Sequence, residues 1–373
     1  MNILICPDKF KSSLSAFEVS NAIKSGILQY TPEVEIQMHP LADGGDGSID
    51  VLSHFLPLQE VSTETIDPLG RNITTTYFRE NKTAYIELAK AAGIDLLKKD
   101  EHHPLSTSTI GTGYQIRHAL SSGCDKIYLF IGGSATTDAG MGIAHAMGIR
   151  FYDKENNILD PIGANLMHVY NIDKSGLILE VHQTKIIILC DVENVLYGVQ
   201  GAAYVYGPQK GANPYEVKEL DNGLQNFAKV IQTQFGIDIS TIIGGGAAGG
   251  TAAGLVGLIG ATIHKGIDTI MSLTHFEQKV EKADFVISGE GKIDNQTLYG
   301  KTIAGVSHLC EKYNKPLFLF CGVNQLTVSE ATHLYHSGIM SIMEYTGGDN
   351  SEAMSYAKKY LQKMGYDWAI KNL

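Results

Sequence analysis

The sequence predicts an α/β protein of two domains, one doubly wound and assembled from both ends of the chain, the other inserted into it. Three observations predict this. The chain has 373 residues, and single hydrophobic cores stop growing at roughly 250–300 residues, so two cores are expected. Strand-like and helix-like segments alternate at both ends, whereas the pattern changes character after residue 66. Several short apolar runs end abruptly in Asp, Glu, Lys and Gly, as strands of open α/β sheets do at their ligand-binding carboxyl ends. Residues 1–66 with 283–373 are thus expected to form a discontinuous Rossmann-like, flavodoxin-like domain, and residues 67–282 an inserted α/β domain.

Each element follows from local signals. The apolar residues 2–6 run into Pro7-Asp8-Lys9-Phe10-Lys11, a strand delivering charge. Ser15 and Glu18 are spaced as a capping box for a helix running to about Tyr30. A strand over 34–39 leads to Asp43-Gly44-Gly45-Asp46-Gly47, and a further helix and strand reach residue 66. Asp67-Pro68-Leu69-Gly70 is a turn, followed by strands at 73–78 and 83–88 around Glu80-Asn81. The apolar residues 186–190 end at Asp191. Residues 242–263 carry no charge and are long enough to span a bilayer, but their glycines point instead to a glycine loop and a tightly packed small-residue helix. A strand over 285–288 then releases Gly289-Glu290-Gly291-Lys292-Ile293-Asp294. Helices near 302–313 and 329–336 alternate with strands at 317–321 and 339–343.

Composition removes several classes of function. With 44% hydrophobic and 18% charged residues the chain is an ordinary globular protein. Its net charge of −11 and lack of long Lys/Arg runs lack the electrostatic footprint of a nucleic-acid binder. Cys6, Cys124, Cys190, Cys310 and Cys321 stand singly, which suits a reducing cytoplasm, and the opening strand leaves no secretory signal. Neither His102-His103 nor His333 with His336 has zinc spacing together with further ligands, so these are read as structural or surface residues.

Strand ends rich in acids, lysine and glycine suggest metal-assisted phosphate chemistry. In Asp43-Gly44-Gly45-Asp46-Gly47 the glycines let backbone approach a phosphate while the carboxylates reach a cation or a hydroxyl proton; a turn alone needs only one or two such residues. Gly132-Gly133-Ser134-Ala135-Thr136-Thr137 reads equally as a phosphate loop at a helix N-terminus or as close packing. Gly244, Gly246 and Gly249 formally match a dinucleotide loop whose strand would be 237–243, with Asp268 near the ribose-acid spacing, although packing is the better reading. Gly300-Lys301-Thr302 resembles the end of a P-loop, but position 295 is Asn295 rather than the first glycine. Asp191, at the rim of a core, reads as a general base or as a cap. Lys11 reads as a point charge for phosphate or as an ordinary loop lysine. No G-x-S-x-G elbow supports a serine hydrolase.

Over essentially its whole length the chain resembles the type I glycerate kinases. The segments that carry the resemblance are Pro7-Asp8-Lys9-Phe10-Lys11-Ser12-Ser13-Leu14-Ser15, Ala42-Asp43-Gly44-Gly45-Asp46-Gly47, Gly132-Gly133-Ser134-Ala135-Thr136-Thr137-Asp138, Cys190-Asp191-Val192-Glu193-Asn194, Tyr206-Gly207-Pro208-Gln209-Lys210-Gly211-Ala212 and Ser288-Gly289-Glu290-Gly291-Lys292-Ile293-Asp294. The resemblance implies transfer of the γ-phosphoryl of ATP, with Mg²⁺, to a hydroxyl of D-glycerate, the 2-position being favoured over the 3-position. Lys9, Ser12, Thr137 and Lys292 stand where that family usually has Ser, Gly, Asn and Arg, and a lysine at 292 loses the bidentate grip of a guanidinium. On this resemblance Asp191 is the expected base, and a subset of Asp43, Asp46, Glu290 and Asp294 holds the metal. Lys11, Lys292 and Gly132-Gly133-Ser134 are expected at phosphates, and Arg71 at the glycerate carboxylate. The partners expected are glycerate and ATP, with neither nucleic acid nor membrane, and a homodimer is possible. A nucleotide-dependent oxidoreductase that binds NAD(H) and a non-catalytic sensor of small acids are the alternative readings.

Overall fold

A computed structural model describes residues 1–45, 47–298 and 302–373. In chain order the strands are β1 (Asn2–Ile5), β2 (Glu35–Met38), β3 (Gln59–Ile66), β4 (Asn72–Glu80), β5 (Thr83–Glu87), β6 (Lys126–Phe130), β7 (Arg150–Tyr152), β8 (Asn171–Asp173), β9 (Lys185–Leu189), β10 (Thr262–His264), β11 (Phe285–Ile293), β12 (Leu317–Asn324) and β13 (Gly338–Ser341). The main helices are α1 (Ala16–Tyr30), α2 (Ser48–Leu52), α3 (Ile110–Ser121), α4 (Met141–Ala146), α5 (Pro214–Phe235), α6 (Thr251–Ile259), α7 (Gly266–Leu273), α8 (Phe276–Lys282), α9 (Thr302–Lys312), α10 (Ile342–Tyr345), α11 (Asn350–Ser355) and α12 (Ala357–Asn372). They form two compact units, one of Met1–Phe55 with Lys265–Leu373 and one of Leu56–His264.

The first unit is built on a parallel sheet of order β13-β12-β11-β1-β2. From the β2 edge this is the flavodoxin-like order, which reverses direction between β1 and β11. The inner strands are nearly continuous apolar runs because a parallel sheet is covered on both faces, and Ile3, Ile5, Val286 and Ile287 are fully buried. On one face α1 packs against α12, where Gly26 and Gly365 let the two backbones touch: a Cβ on Gly26 would lie 1.8 Å from the carbonyl oxygen of Gln362. The predicted capping box starts α1, with the Glu18 amide donating to Ser15 Oγ at 3.3 Å and the Ser15 amide to Glu18 at 2.8 Å. Trp368 of α12 closes this layer edge-on to Phe285 and Phe318.

The second unit has a mixed sheet of order β10-β9-β6-β5-β4-β3, parallel from β10 to β5 and antiparallel beyond. β7 and β8 form a separate antiparallel pair, and α5 begins at a capping box between Asn213 and Glu216, with Pro214 in its first turn. Here the unit limits differ from those the sequence predicts. β3 does not join the first sheet, because it pairs with β4 from Gln59↔Arg79 to Ile66↔Asn72 and so belongs to the second. α7 and α8 belong to the first unit, since Phe276 is buried there with its ring 5.1 Å from that of His39.

Three elements near the C-terminus also differ from expectation. β11 continues to Ile293 instead of stopping at residue 288, in register Glu290↔Cys321 and Lys292↔Val323, so these charges project from the strand itself. The helix expected at 329–336 is one turn, Val328–Ala331. Beyond it the Tyr335 amide donates to Ser307 Oγ and the Ser337 amide to the Leu317 carbonyl, bonds that replace a helical ladder. β13 stops at Ser341, whose side chain accepts from the Met343 amide and starts α10. The uncharged stretch 242–263 is a run of turns and then α6, and among the described residues no helix is long and apolar enough to cross a membrane.

Candidate active site

The first unit has a cavity of about 730 Å³ where the sheet order reverses. Beyond β1 the chain stays aligned with β11, the Cys6 amide donating to Ile287 and the Asp8 amide to Gly289, each at 2.8 Å. This places Asp8 on the cavity wall, 9% exposed. Its carboxylate accepts from the Lys9 amide at 2.6 Å and from the Thr302 hydroxyl at the start of α9 at 2.6 Å. Burial, and next the charge of Asp43, nevertheless push its pKa from 3.8 up to about 6.

Lys9, Lys11, Asp43, Glu290 and Lys292 line the same cavity. Asp43 shapes its own turn by accepting from the Gly45 amide at 3.0 Å, while Gly44 takes a φ of +88°. Glu290 accepts a short hydrogen bond from the Thr297 hydroxyl. Lys292 Nζ lies 2.9 Å from Asp294, which is not itself among the lining residues. Four sequence-predicted residues, Lys11, Asp43, Glu290 and Lys292, thus meet in one cavity. Asp46, Gly300 and Lys301 lie outside the described residues. Sequence reasoning left Asp8, Thr297 and Thr302 out of the site. Asp8 carried a usable signal, since it follows a fully apolar strand by one proline, as Asp191 follows another.

Other predicted residues lie in the second unit. Asp191 is half-buried at the carboxyl end of β9. Gly132-Gly133-Ser134 follow β6, but no helix begins there: α4 starts at Met141, so the expected helix N-terminus is absent. The loop is instead tied to Lys210, whose ammonium donates to Ser134 Oγ at 2.8 Å and to the Thr136 carbonyl at 2.6 Å. Burial pushes the pKa of Lys210 down to about 7, against the pull of Asp138. Asp138 in turn accepts from the Thr109 amide and hydroxyl and from the Gly140 and Gly142 amides. Nothing in the local sequence pattern marks Lys210 as buried, because the segment around it is neither periodic nor strongly apolar.

Contacts bear on two further readings. The half-exposed Arg71 already holds acids of the protein: Nε lies 2.5 Å from Asp67, and Nη1 and Nη2 engage Glu101 at 2.6 and 3.3 Å. The dinucleotide loop lacks its strand, since 237–243 is irregular. Gly246, Gly249 and Gly254 are there for close approach, a Cβ on each falling 2.3, 2.1 and 1.7 Å from backbone oxygens of Val195, Thr136 and Ala139.

Comparison with known proteins identifies the family. The model of the glycerate kinase family matches residues 3–370. A glycerate kinase of Halalkalibacterium halodurans is 39% identical over 322 residues, 86% of this chain and 85% of the relative. The glycerate 2-kinase of Escherichia coli is 37% identical over 324 residues, again 86% and 85%. A crystal structure from Salmonella typhimurium, described as a glycerate kinase 2, superimposes with a TM-score of 0.85 at 35% identity, covering 100% of this chain and 98% of the other. With a family match that spans nearly its whole length and close relatives over most of theirs, the chain belongs to the glycerate kinase family and is a kinase.

Proposed function

We propose that the protein transfers the γ-phosphoryl group of Mg-ATP to the 2-hydroxyl of D-glycerate, giving 2-phosphoglycerate and ADP. The observation that carries this reading is the cavity at the sheet reversal, where Lys9, Lys11 and Lys292 meet Asp8, Asp43 and Glu290. Cations for phosphate oxygens beside hard carboxylate donors for a divalent ion are what phosphoryl transfer requires. The carboxylate oxygens fit Mg²⁺ chemically, and the charge of Asp43 already raises the pKa of Asp8, a repulsion that a bound cation would relieve. Mg²⁺ keeps waters and phosphate oxygens in its shell and needs only one or two carboxylates from the protein. Asp43 and Glu290 would hold it; when bound it would neutralise charge on the phosphates.

In the reaction a bond forms between the glycerate oxygen and the γ-phosphorus while the bond from that phosphorus to the β-bridging oxygen breaks. Asp191 accepts the hydroxyl proton, and Lys11 and Lys292 bind phosphate oxygens. The 2-position is favoured by the relative named a glycerate 2-kinase. The oxidoreductase alternative has no support, because its glycine loop is occupied by packing and lacks a preceding strand.

ADP release from Mg-ATP with and without D-glycerate, followed by NMR identification of the product, tests the reading. A glycerate-dependent rate yielding 2-phosphoglycerate is expected. A 3-phosphoglycerate product overturns the regiochemistry, and no glycerate-dependent rate overturns the acceptor. For Asp191→Asn, turnover should fall by about 100-fold or more while ATP and glycerate still bind; unchanged turnover removes Asp191 as the base.

A further inference from the structure

The charged groups make up only part of the cavity lining. From late in the chain comes a mostly apolar wall: Val323 at the end of β12, Ile342 and Met343 of α10, Ala353 and Met354 of α11, and Ala357 opening α12, with the polar Gln325 and Asn350 beside them. A three-carbon acid has no apolar surface to bury against such a wall, whereas a nucleotide has a flat base at one end and phosphates at the other. At about 730 Å³ the cavity is within the range of sites that enclose a ligand of this size. The charged loop and this wall are physically joined, because Ser13 Oγ of the loop that carries Lys9 and Lys11 donates to the Met354 carbonyl of α11 at 3.1 Å.

We propose that this wall seats the purine base of the nucleoside triphosphate, with Met343 and Met354 as the adaptable side chains against its faces and the phosphates running toward Lys9, Lys11 and Lys292. The inference rests on the ATP-dependent reading above. Thioethers suit this role because they are polarizable and favour contact with aromatic rings, while the small Ala353 and Ala357 leave room for a planar group. Met354 is 45% exposed, so an apolar side chain stands at the cavity with no core to fill.

The test compares two probes by calorimetry in Mg²⁺: the β,γ-imido analogue of ATP, and inorganic tripolyphosphate, which has the phosphates but no base. In Met343→Ala/Met354→Ala the ATP analogue should bind about tenfold more weakly, the loss of two sulfur–aromatic contacts and their burial. Tripolyphosphate affinity and KM for glycerate should stay within about twofold of wild type. Unchanged affinity for the ATP analogue, or equal weakening of both probes, overturns the base site while leaving the kinase reading in place. If the wild-type protein binds neither probe, the ATP-dependent reading fails and this inference with it. Should the double variant not fold, Met354→Ala alone carries the same comparison, since that side chain supports no core.

Discussion

Asp8 is held ionised at neutral pH in a place that resists its charge, so Asp8→Asn should stabilise the metal-free protein while damaging its activity. The pKa rises from 3.8 to about 6, the first cause being burial and the second the charge of Asp43. A folded pKa above the unfolded one means that the native state binds more protons between these values, so stability falls as pH rises through that window. Above pH 6 the cost is complete. Roughly two pKa units at about 1.4 kcal/mol each give about 3 kcal/mol as its upper limit. Asparagine has nearly the same shape and can still accept from the Lys9 amide, while the Thr302 hydroxyl can turn to accept from its NH₂ group. A gain of about 1–3 kcal/mol at pH 7 is therefore expected, shrinking toward zero near pH 4, because the wild-type carboxyl is then protonated. Turnover should drop about 10- to 100-fold, as for loss of a group that supports bound metal and phosphate. Urea denaturation in EDTA at pH 7 and pH 4, beside steady-state kinetics with Mg-ATP, measures both signs. A variant that is less stable at pH 7 and fully active refutes the reasoning.

Gly26→Ala should destabilise, although helix propensity alone would make it stabilising by about 1 kcal/mol. Its Cβ would lie 1.8 Å from the Gln362 carbonyl oxygen, so α1 and α12 must separate, at a net cost of about 2 kcal/mol or more, and thermal melting with an unchanged or higher midpoint would contradict this. His39, stacked on Phe55 and bonded to Thr274 Oγ1 at 2.9 Å, has its pKa pushed down to about 4 by burial and then by Lys279. The unfolded chain binds the proton first, so between pH 6.5 and 4 the native state should lose about 3 kcal/mol that His39→Gln does not lose; parallel losses in denaturant titrations would rule this out. Lys210, with a folded pKa near 7 against 10.5 unfolded, should make stability rise by about 2–3 kcal/mol from pH 7 to pH 9. Lys210→Met should abolish that rise, and a variant with the wild-type slope would show that another group is responsible.

Much of the fold was legible because its signals are local. The capping box at Ser15, the apolar strands ending in acids, and the turn at Asp67-Pro68-Leu69-Gly70 each depend on neighbours in sequence. What was hidden depends on partners far along the chain. Nothing within residues 59–66 says that β3 will pair with β4 and not with the first sheet. The length of β11 is set by β12, whose backbone lies alongside Gly289 and Gly291. The site shows the same division. The charged residues of the cavity can be picked out by their positions after strands, but Arg71 looks open until Asp67 and Glu101 are seen around it. Likewise Lys210 looks like a loop lysine until its burial against Ser134 and Thr136 is known.

The first sheet has a consequence for how the protein is made. β1 lies between β2, built early, and β11, built some 280 residues later, and the apolar wall of the cavity waits for residues 342–357. During synthesis the emerging chain can complete the sheet of the second unit, all of whose strands lie within residues 56–264, while the first strands still lack neighbours. A chain interrupted before β11 would therefore carry a folded middle and lack this cavity. Phosphoryl transfer would be withheld from unfinished copies by topology alone, and the exposed edge of β1 would mark them for chaperones or proteases.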